Sequence, residues 1–275
     1  MDKVSLLGGS GFIGNALLNK YPKLFYKEAR DCEFPKYDKI LLAYGTNSNY
    51  NIFSDTPTID FDTNVNKLIR ILHNCKDRPI EITLLSSWFK FGGGKPDGPY
   101  KETDLSSCLG YYSISKWCQT QVLITFCTFF DKKYKIINLS NIYGPGDNKA
   151  SSQKNALQFM VGKLKKGEDV ELYNSGHVLR DFLHIDDCVR GIKLIMDKGE
   201  NANTYNLGYG KSIEIGYAID LAKERLKSKS KIKSISPPKF HKVVQVLDFE
   251  MNTDKVNKLG FRPKISFEEG LNTIL

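Results

Sequence analysis

No stretch of the 275 residues reaches the roughly 18 uninterrupted apolar residues of a membrane-spanning helix, so no passage through a bilayer is expected. Histidine is scarce, with four in the chain, and none stands at metal-ligand spacing from the scattered Cys32, Cys75, Cys108, Cys118, Cys127 and Cys188. A Cys-x-x-Cys pair is missing as well, so reduced, partly buried thiols and no bound metal are expected. Proline is sparse, at 10, and neither a low-complexity linker nor an internal repeat interrupts the chain. With 41% hydrophobic and 26% charged residues, collagen-like and disordered chains are excluded. The start, Met1-Asp2-Lys3-Val4-Ser5, runs straight into a strand pattern without a leader signature, and a cytoplasmic location is expected.

Forty Lys and Arg against 31 Asp and Glu leave a net charge of +9, which raises the question of an anionic partner. The basic clusters at Lys163 to Lys166 and Lys223 to Lys233 lack the interleaved aromatics of a single-strand binder, and no zinc-finger or RNA-recognition signature is present. A phosphorylated small molecule is therefore favoured over nucleic acid or a membrane surface, and both clusters read as solvated helix faces.

Short apolar runs alternate with longer segments of helical period. Strands are expected at Lys3–Gly8, Leu24–Ala29, Lys39–Ala43, Ile80–Ser86 and Tyr134–Leu139, with helices at Phe12–Lys20, Phe61–Asn74 and Tyr111–Phe130. Beyond Pro145 a helix near Gln153–Lys166, a strand at Val170–Tyr173, a helix after Ile185, a strand at Thr204–Leu207 and helical segments past Ile213 are expected. That order implies an α/β fold: a Rossmann-like, doubly wound parallel sheet with a smaller mixed α/β substrate-binding part. Residues 1–143 plus about 177–210 are assigned to the dinucleotide-binding domain, and about 144–176 and 211–275 to the substrate-binding domain.

Gly8-Gly9-Ser10-Gly11-Phe12-Ile13-Gly14 stands where the first strand ends and the first helix begins. Gly8 permits the tight turn, Gly11 lets backbone amides approach a pyrophosphate, and Gly14 lets helix and strand pack closely. Phe12, Ile13 and, at the end of the third strand, Ala43 are expected to line the same cofactor. After the second strand, Arg30 suits the 2′-phosphate of NADP and Asp31 the free ribose of NAD; NADP is favoured.

Tyr112 and Lys116, four apart at the start of the long helix, share one helical face. A neighbouring ammonium is expected to stabilise the Tyr112 phenolate and bring its pKa down toward the working range. Ser87 lies 25 residues earlier at the C-terminal end of a strand, the end at which open α/β sheets bind ligands. The motifs continue with Asn64 before Val65, Ser86-Ser87-Trp88-Phe89-Lys90-Phe91-Gly92, Asn141-Ile142-Tyr143-Gly144-Pro145, Arg180-Asp181-Phe182-Leu183-His184-Ile185-Asp186-Asp187, Asn206-Leu207-Gly208 and Leu259-Gly260-Phe261-Arg262-Pro263.

Over nearly its whole length the chain thus resembles an extended short-chain dehydrogenase/reductase, the nucleotide-sugar epimerase/dehydratase/reductase family. The resemblance implies hydride exchange between nicotinamide C4 and a sugar carbon, with Tyr112 moving the oxygen's proton, Ser87 hydrogen-bonding that oxygen, and Lys116 tuning Tyr112 and holding the nicotinamide ribose. It implies a nucleotide-diphosphate sugar as substrate, with Arg180 and Asn141 near the diphosphate and Trp88 and Phe89 beside the sugar, where they either stack on it or serve as plain packing. Family dehydratases carry an Asp-Glu pair directly after the serine; here Trp88 and Phe89 stand there, and neither transfers a proton. The reductases that also epimerise C3 and C5 use a Cys two residues after the serine and a His after the Tyr-Gly-Pro segment, where this chain has Phe89 and the His-free 146–153. Asn138 replaces an arginine usual in the family, Glu102 matches an acid near the site entrance, and Asp186 and Asp187 are expected to cap the following helix. These departures leave NADP(H)-dependent reduction of a C4 ketone as the favoured reaction, an NAD-dependent C4 epimerase as the alternative, and a non-catalytic member binding a partner or RNA as the remote one. The resemblance also implies a homodimer through the Tyr112-bearing helix, which the apolar Val122–Phe130 fits.

Overall fold

The computed structural model describes residues 3–46, 51–53, 55–92, 98–147, 155–244 and 248–275. In chain order the elements are β1 (Val4–Leu7), α1 (Phe12–Lys20), β2 (Phe25–Lys27), β3 (Lys39–Leu42), α2 (Ile59–Phe61), α3 (Lys67–Cys75), β4 (Glu81–Ser87), α4 (Tyr111–Phe129), β5 (Lys133–Leu139) and β6 (Asn141–Tyr143). There follow α5 (Ala156–Lys166), β7 (Val170–Tyr173), β8 (Leu179–His184), α6 (Ile185–Lys198), β9 (Asn203–Leu207), β10 (Ser212–Glu214), α7 (Ile215–Leu226), β11 (Ile232–Ile235), α8 (Lys239–Val244), α9 (Asp254–Lys258) and α10 (Phe267–Asn272).

Six parallel strands form the main sheet in the order β2-β1-β3-β4-β5-β9. Because helices cover both faces, β1 is buried at every position and reads as an unbroken Val-Ser-Leu-Leu run. One apolar core packs α1 and α6 against one face, and a second packs α3 and α4 against the other. The chain winds outward from β1 to β2 and then back across to β3, so the strand order reverses between β1 and β3. In such folds a ligand crevice opens there, at the strand ends. A separate core around Tyr143, Leu157, Phe182, Ile219 and Phe267 joins α5, α7 and α10 with a three-stranded sheet, β10-β8-β6, and a two-stranded one, β11-β7.

The elements of the main sheet lie where the apolar pattern puts them, with ends shifted by at most two residues. The expected helix at Phe61–Asn74 starts earlier and is interrupted by a π-turn at Asp62–Asn66. β6, β8, β10 and β11 have no counterpart in the expected pattern. In β8 the buried Arg180 and Asp181 break the apolar rhythm by which a covered strand is recognised. Among the described residues no helix is long and apolar enough to cross a membrane.

Candidate active site

The glycine loop is built so that side chains cannot enter it. Gly8 has φ +95°, and a Cβ there would meet the Ala43 carbonyl at 2.5 Å; a Cβ on Gly14 would lie 2.2 Å from the Gly8 oxygen. Gly11 starts α1 in extended geometry and offers no side-chain cap, so the first-turn amides of Phe12 and Ile13 face outward from a positive helix end. A cradle emptied of Cβ atoms at a helix N-terminus fits a pyrophosphate. At the end of β2, Glu28 is committed inward: its Oε1 accepts from Ser5 Oγ at 2.6 Å and from the Lys36 amide at 2.7 Å. The exposed pair Arg30 and Asp31 follows immediately.

Ser87 is the last residue of β4 and is buried. Its hydroxyl accepts from the Phe89 amide at 3.3 Å and hydrogen-bonds Tyr112, which stands half-buried in the first turn of α4. One turn further, Lys116 is buried, and its Nζ donates to the Leu85 carbonyl at 3.1 Å and to Gln119 Oε1 at 2.9 Å. The three residues therefore converge at the C-terminal end of β4. The expected electrostatics require correction. Burial raises the Tyr112 pKa and the Asp60 carboxylate adds to this, while the Ser87 hydrogen bond acts against them. Lys116 spends its hydrogens on Leu85 and Gln119, and burial lowers its own pKa to about 8. In this arrangement Tyr112 is a phenol and thus a proton donor.

Behind this turn lies a hydrogen-bonded group that the sequence does not reveal, apart from Asn64. The π-turn points Asn64 inward, where its Nδ2 donates to Ser115 Oγ at 2.9 Å and to Thr46 Oγ1 at 3.0 Å. Thr46 in turn donates to the fully buried Asp60. A Cβ on Gly45 would fall 2.9 Å from Asn64 Oδ1 and 3.1 Å from Lys116 Nζ, so the backbone of the turn after β3 passes close to both. A buried Asp four residues before an Asn on one helical segment is the only signal available, and composition hides it.

Of the two aromatic neighbours of Ser87, only Phe89 faces the site. It is partly exposed and stands edge-on to the Tyr112 ring at 6.0 Å. Trp88 is 4% exposed, packed at 4.1 Å against Phe89 and 4.3 Å against Phe249, with the Arg180 guanidinium 5.3 Å from its ring. Its role as a sugar-stacking surface is therefore corrected to the packing alternative: its faces are already covered. Arg180 is buried in β8 and donates to the Leu179 carbonyl at 2.7 Å; Asn141 spends an amide hydrogen on the Asp181 carbonyl at 3.1 Å. Glu102 is also reassigned, since its carboxylate accepts from the Asn206 amide at 2.9 Å and pins its loop to β9. Asn138, where the family arginine is missing, donates to Asn206 Oδ1 at 2.8 Å. The cap of α6 is His184, whose ring accepts from the Asp186 amide; Asp187 instead accepts from the Lys264 and Ile265 amides. Residues 148–153 of the His-free segment lie outside the described residues.

A sequence profile of the NAD dependent epimerase/dehydratase family matches residues 30–208. A Methanocaldococcus jannaschii protein with the provisional name UDP-glucose 4-epimerase is 20% identical over 99% of this chain and 97% of its own length. The CDP-abequose synthase of Salmonella muenchen is 28% identical over 50% of this chain and 46% of its own. In several such matches the chain spans only about half the length of the curated relative. Among solved structures, UDP-glucose 4-epimerase of Thermotoga maritima with UDP-glucose superposes with a TM-score of 0.89 at 21% identity, covering 99% of this chain and 97% of the other. RMD from Pseudomonas aeruginosa complexed with NADPH gives 0.86 at 17%, covering 100% and 98%. At these identities the structural likeness concerns the fold.

Proposed function

The chain belongs to the NAD dependent epimerase/dehydratase family, and from that membership we propose that it reduces the C4 ketone of a nucleotide-diphosphate 4-keto or 4-keto-6-deoxy sugar, with NADP(H) as cofactor. The observation that carries the reading is the convergence of Ser87 and a protonated Tyr112 beside the glycine cradle, with no acid next to Ser87 to drive dehydration.

With its pyrophosphate held in the cradle of Gly8, Gly11 and Gly14, a reduced nicotinamide dinucleotide would supply the hydride. The rest falls to side chains of this chain. Ser87 donates a hydrogen bond to the ketone oxygen and polarises it, and Tyr112 delivers its phenolic proton to that oxygen as C4 becomes tetrahedral, so a C=O becomes H–C–O–H. Lys116, charged below about pH 8, can turn from Gln119 toward the ribose hydroxyls and the phenolate left on Tyr112. Phe89 offers an apolar wall to a carbon that lacks a hydroxyl. Arg180, against the Trp88 ring, is the residue assigned to the diphosphate.

The test follows NADPH absorbance as purified protein meets 4-keto-6-deoxy sugars on CDP, dTDP, GDP and UDP. Stoichiometric oxidation with one carrier, abolished in Tyr112→Phe, is expected. The full-length match to the M. jannaschii protein favours a second reading, an NAD-dependent C4 epimerase; silence across the panel together with NAD released on denaturation would shift the balance to that reading.

A further inference from the structure

Lys67 opens α3 directly after the π-turn, and its side chain crosses to the turn that follows β2. Its Nζ lies 2.5 Å from the Arg30 carbonyl oxygen and 4.7 Å from the centre of the Tyr44 ring, two residues beyond the end of β3. β2 and β3 flank β1, whose end carries the glycine loop, so this ammonium touches both walls of the crevice that holds the cradle.

The surroundings leave the charge available. Of the acids on this turn, Glu28 is taken by Ser5 and the Lys36 amide, and Glu33 by Arg70 at 2.5 Å. Asp31 is exposed and opposes an incoming anion; Arg30, exposed beside it, favours one. The hydrogen bond of Lys67 goes to a neutral carbonyl, which an arriving phosphate oxygen can replace without stranding a buried charge. The Tyr44 ring beneath the ammonium limits where it can go.

We propose that Lys67 is a second cationic ligand for the 2′-phosphate of NADP(H), reaching it from α3 while Arg30 reaches it from the β2 turn. This inference rests on the NADP reading above. It makes cofactor choice the property of a helix residue as well as of the strand end, and it places two positive charges around a group that carries close to two negative ones.

Isothermal titration of the purified protein with NADPH and with NADH, and with 2′,5′-ADP against 5′-AMP, separates the alternatives. The variants are Lys67→Met, which keeps the stem over Tyr44, Lys67→Arg and Arg30→Gln. The wild type is expected to bind NADPH more tightly than NADH. Lys67→Met should weaken NADPH and 2′,5′-ADP about tenfold while leaving NADH and 5′-AMP within twofold, and Lys67→Arg should restore most of the difference, with an unchanged circular-dichroism spectrum confirming each fold. Equal loss of both nucleotides would make Lys67 a support of the turn and overturn the proposal. So would an unchanged NADPH affinity in Lys67→Met, although a loss in Arg30→Gln would then leave the NADP reading standing. A wild type that prefers NADH overturns that reading, and this inference with it.

Discussion

At the residue scale, the site joins a phenol that holds its proton to a lysine that is reluctant to hold its own. Tyr112 sits above the ordinary tyrosine pKa because burial and Asp60 disfavour the phenolate. Its titration, followed as the absorbance difference between wild type and Tyr112→Phe, should therefore lie above pH 10 in the cofactor-free protein. Tyr112→Phe should lower kcat by about 10²- to 10⁴-fold, the range for loss of a positioned proton donor. Lys116 gives a prediction about stability. Its folded pKa, about 8, lies below the unfolded value of 10.5, so between those two values the unfolded chain binds the extra proton and stability from this group rises with pH. Below pH 8 the buried charge costs stability, with a ceiling of about 3 kcal/mol from about 1.4 kcal/mol per pKa unit. Lys116→Met should therefore be inactive yet melt higher at pH 7, and its unfolding free energy should lack the rise between pH 8 and 10.5. A variant that melts lower at pH 7 would show that the bonds to Leu85 and Gln119 outweigh the desolvation.

At the element scale, the junction of β1 and α1 tolerates almost nothing. A methyl group on Gly14 would lie 2.2 Å from the Gly8 carbonyl, a backbone atom that cannot swing away. Gly14→Ala should push α1 off β1, lowering the thermal midpoint and abolishing nucleotide binding by calorimetry; retention of both would mean that the junction relaxes. This junction was readable in the sequence because three glycines between a strand and a helix have few other uses. The Tyr112 turn was readable too, since a spacing of four fixes one helical face. Trp88 was not, because whether an aromatic lines a pocket or fills a core depends on Phe249, a residue 161 positions away that covers its ring. β8 escaped notice for a related reason. Asp181 is wholly buried there, and the amides of Tyr209, Gly210 and Met251 that make its burial tolerable come from distant segments. The burial that raises the Tyr112 pKa, against the expected shift, likewise depends on what distant parts of the chain pack around the ring.

At the scale of the whole molecule, the side of the main sheet that carries α3 and α4 ends in apolar residues facing water. Ile59, Ile69, Tyr111 and Trp117 are all at least 37% exposed, and the segments that bear them are in contact, with Phe61 and Tyr111 rings 6.3 Å apart. Farther along α4, Leu123 and Cys127 are buried, so the apolar Val122–Phe130 run serves the core with one side, while Phe129 at its end is 80% exposed. Single exposed apolar residues are ordinary; four on adjoining helices offer a second copy apolar surface to cover. A symmetric pairing would set α3 and α4 of one protomer against the same helices of its partner. The expected mass by light scattering is twice 31.2 kDa. Trp117→Glu, which puts a charge among these exposed residues, should halve the mass while leaving calorimetric nucleotide binding intact, because Trp117 is exposed whereas its neighbour Lys116 is buried. A wild type that runs at 31.2 kDa at tens of micromolar would remove the pairing. A dimer that survives Trp117→Glu would move it to another face, of which the exposed Phe129 and Phe130 at the end of α4 are the next to mutate.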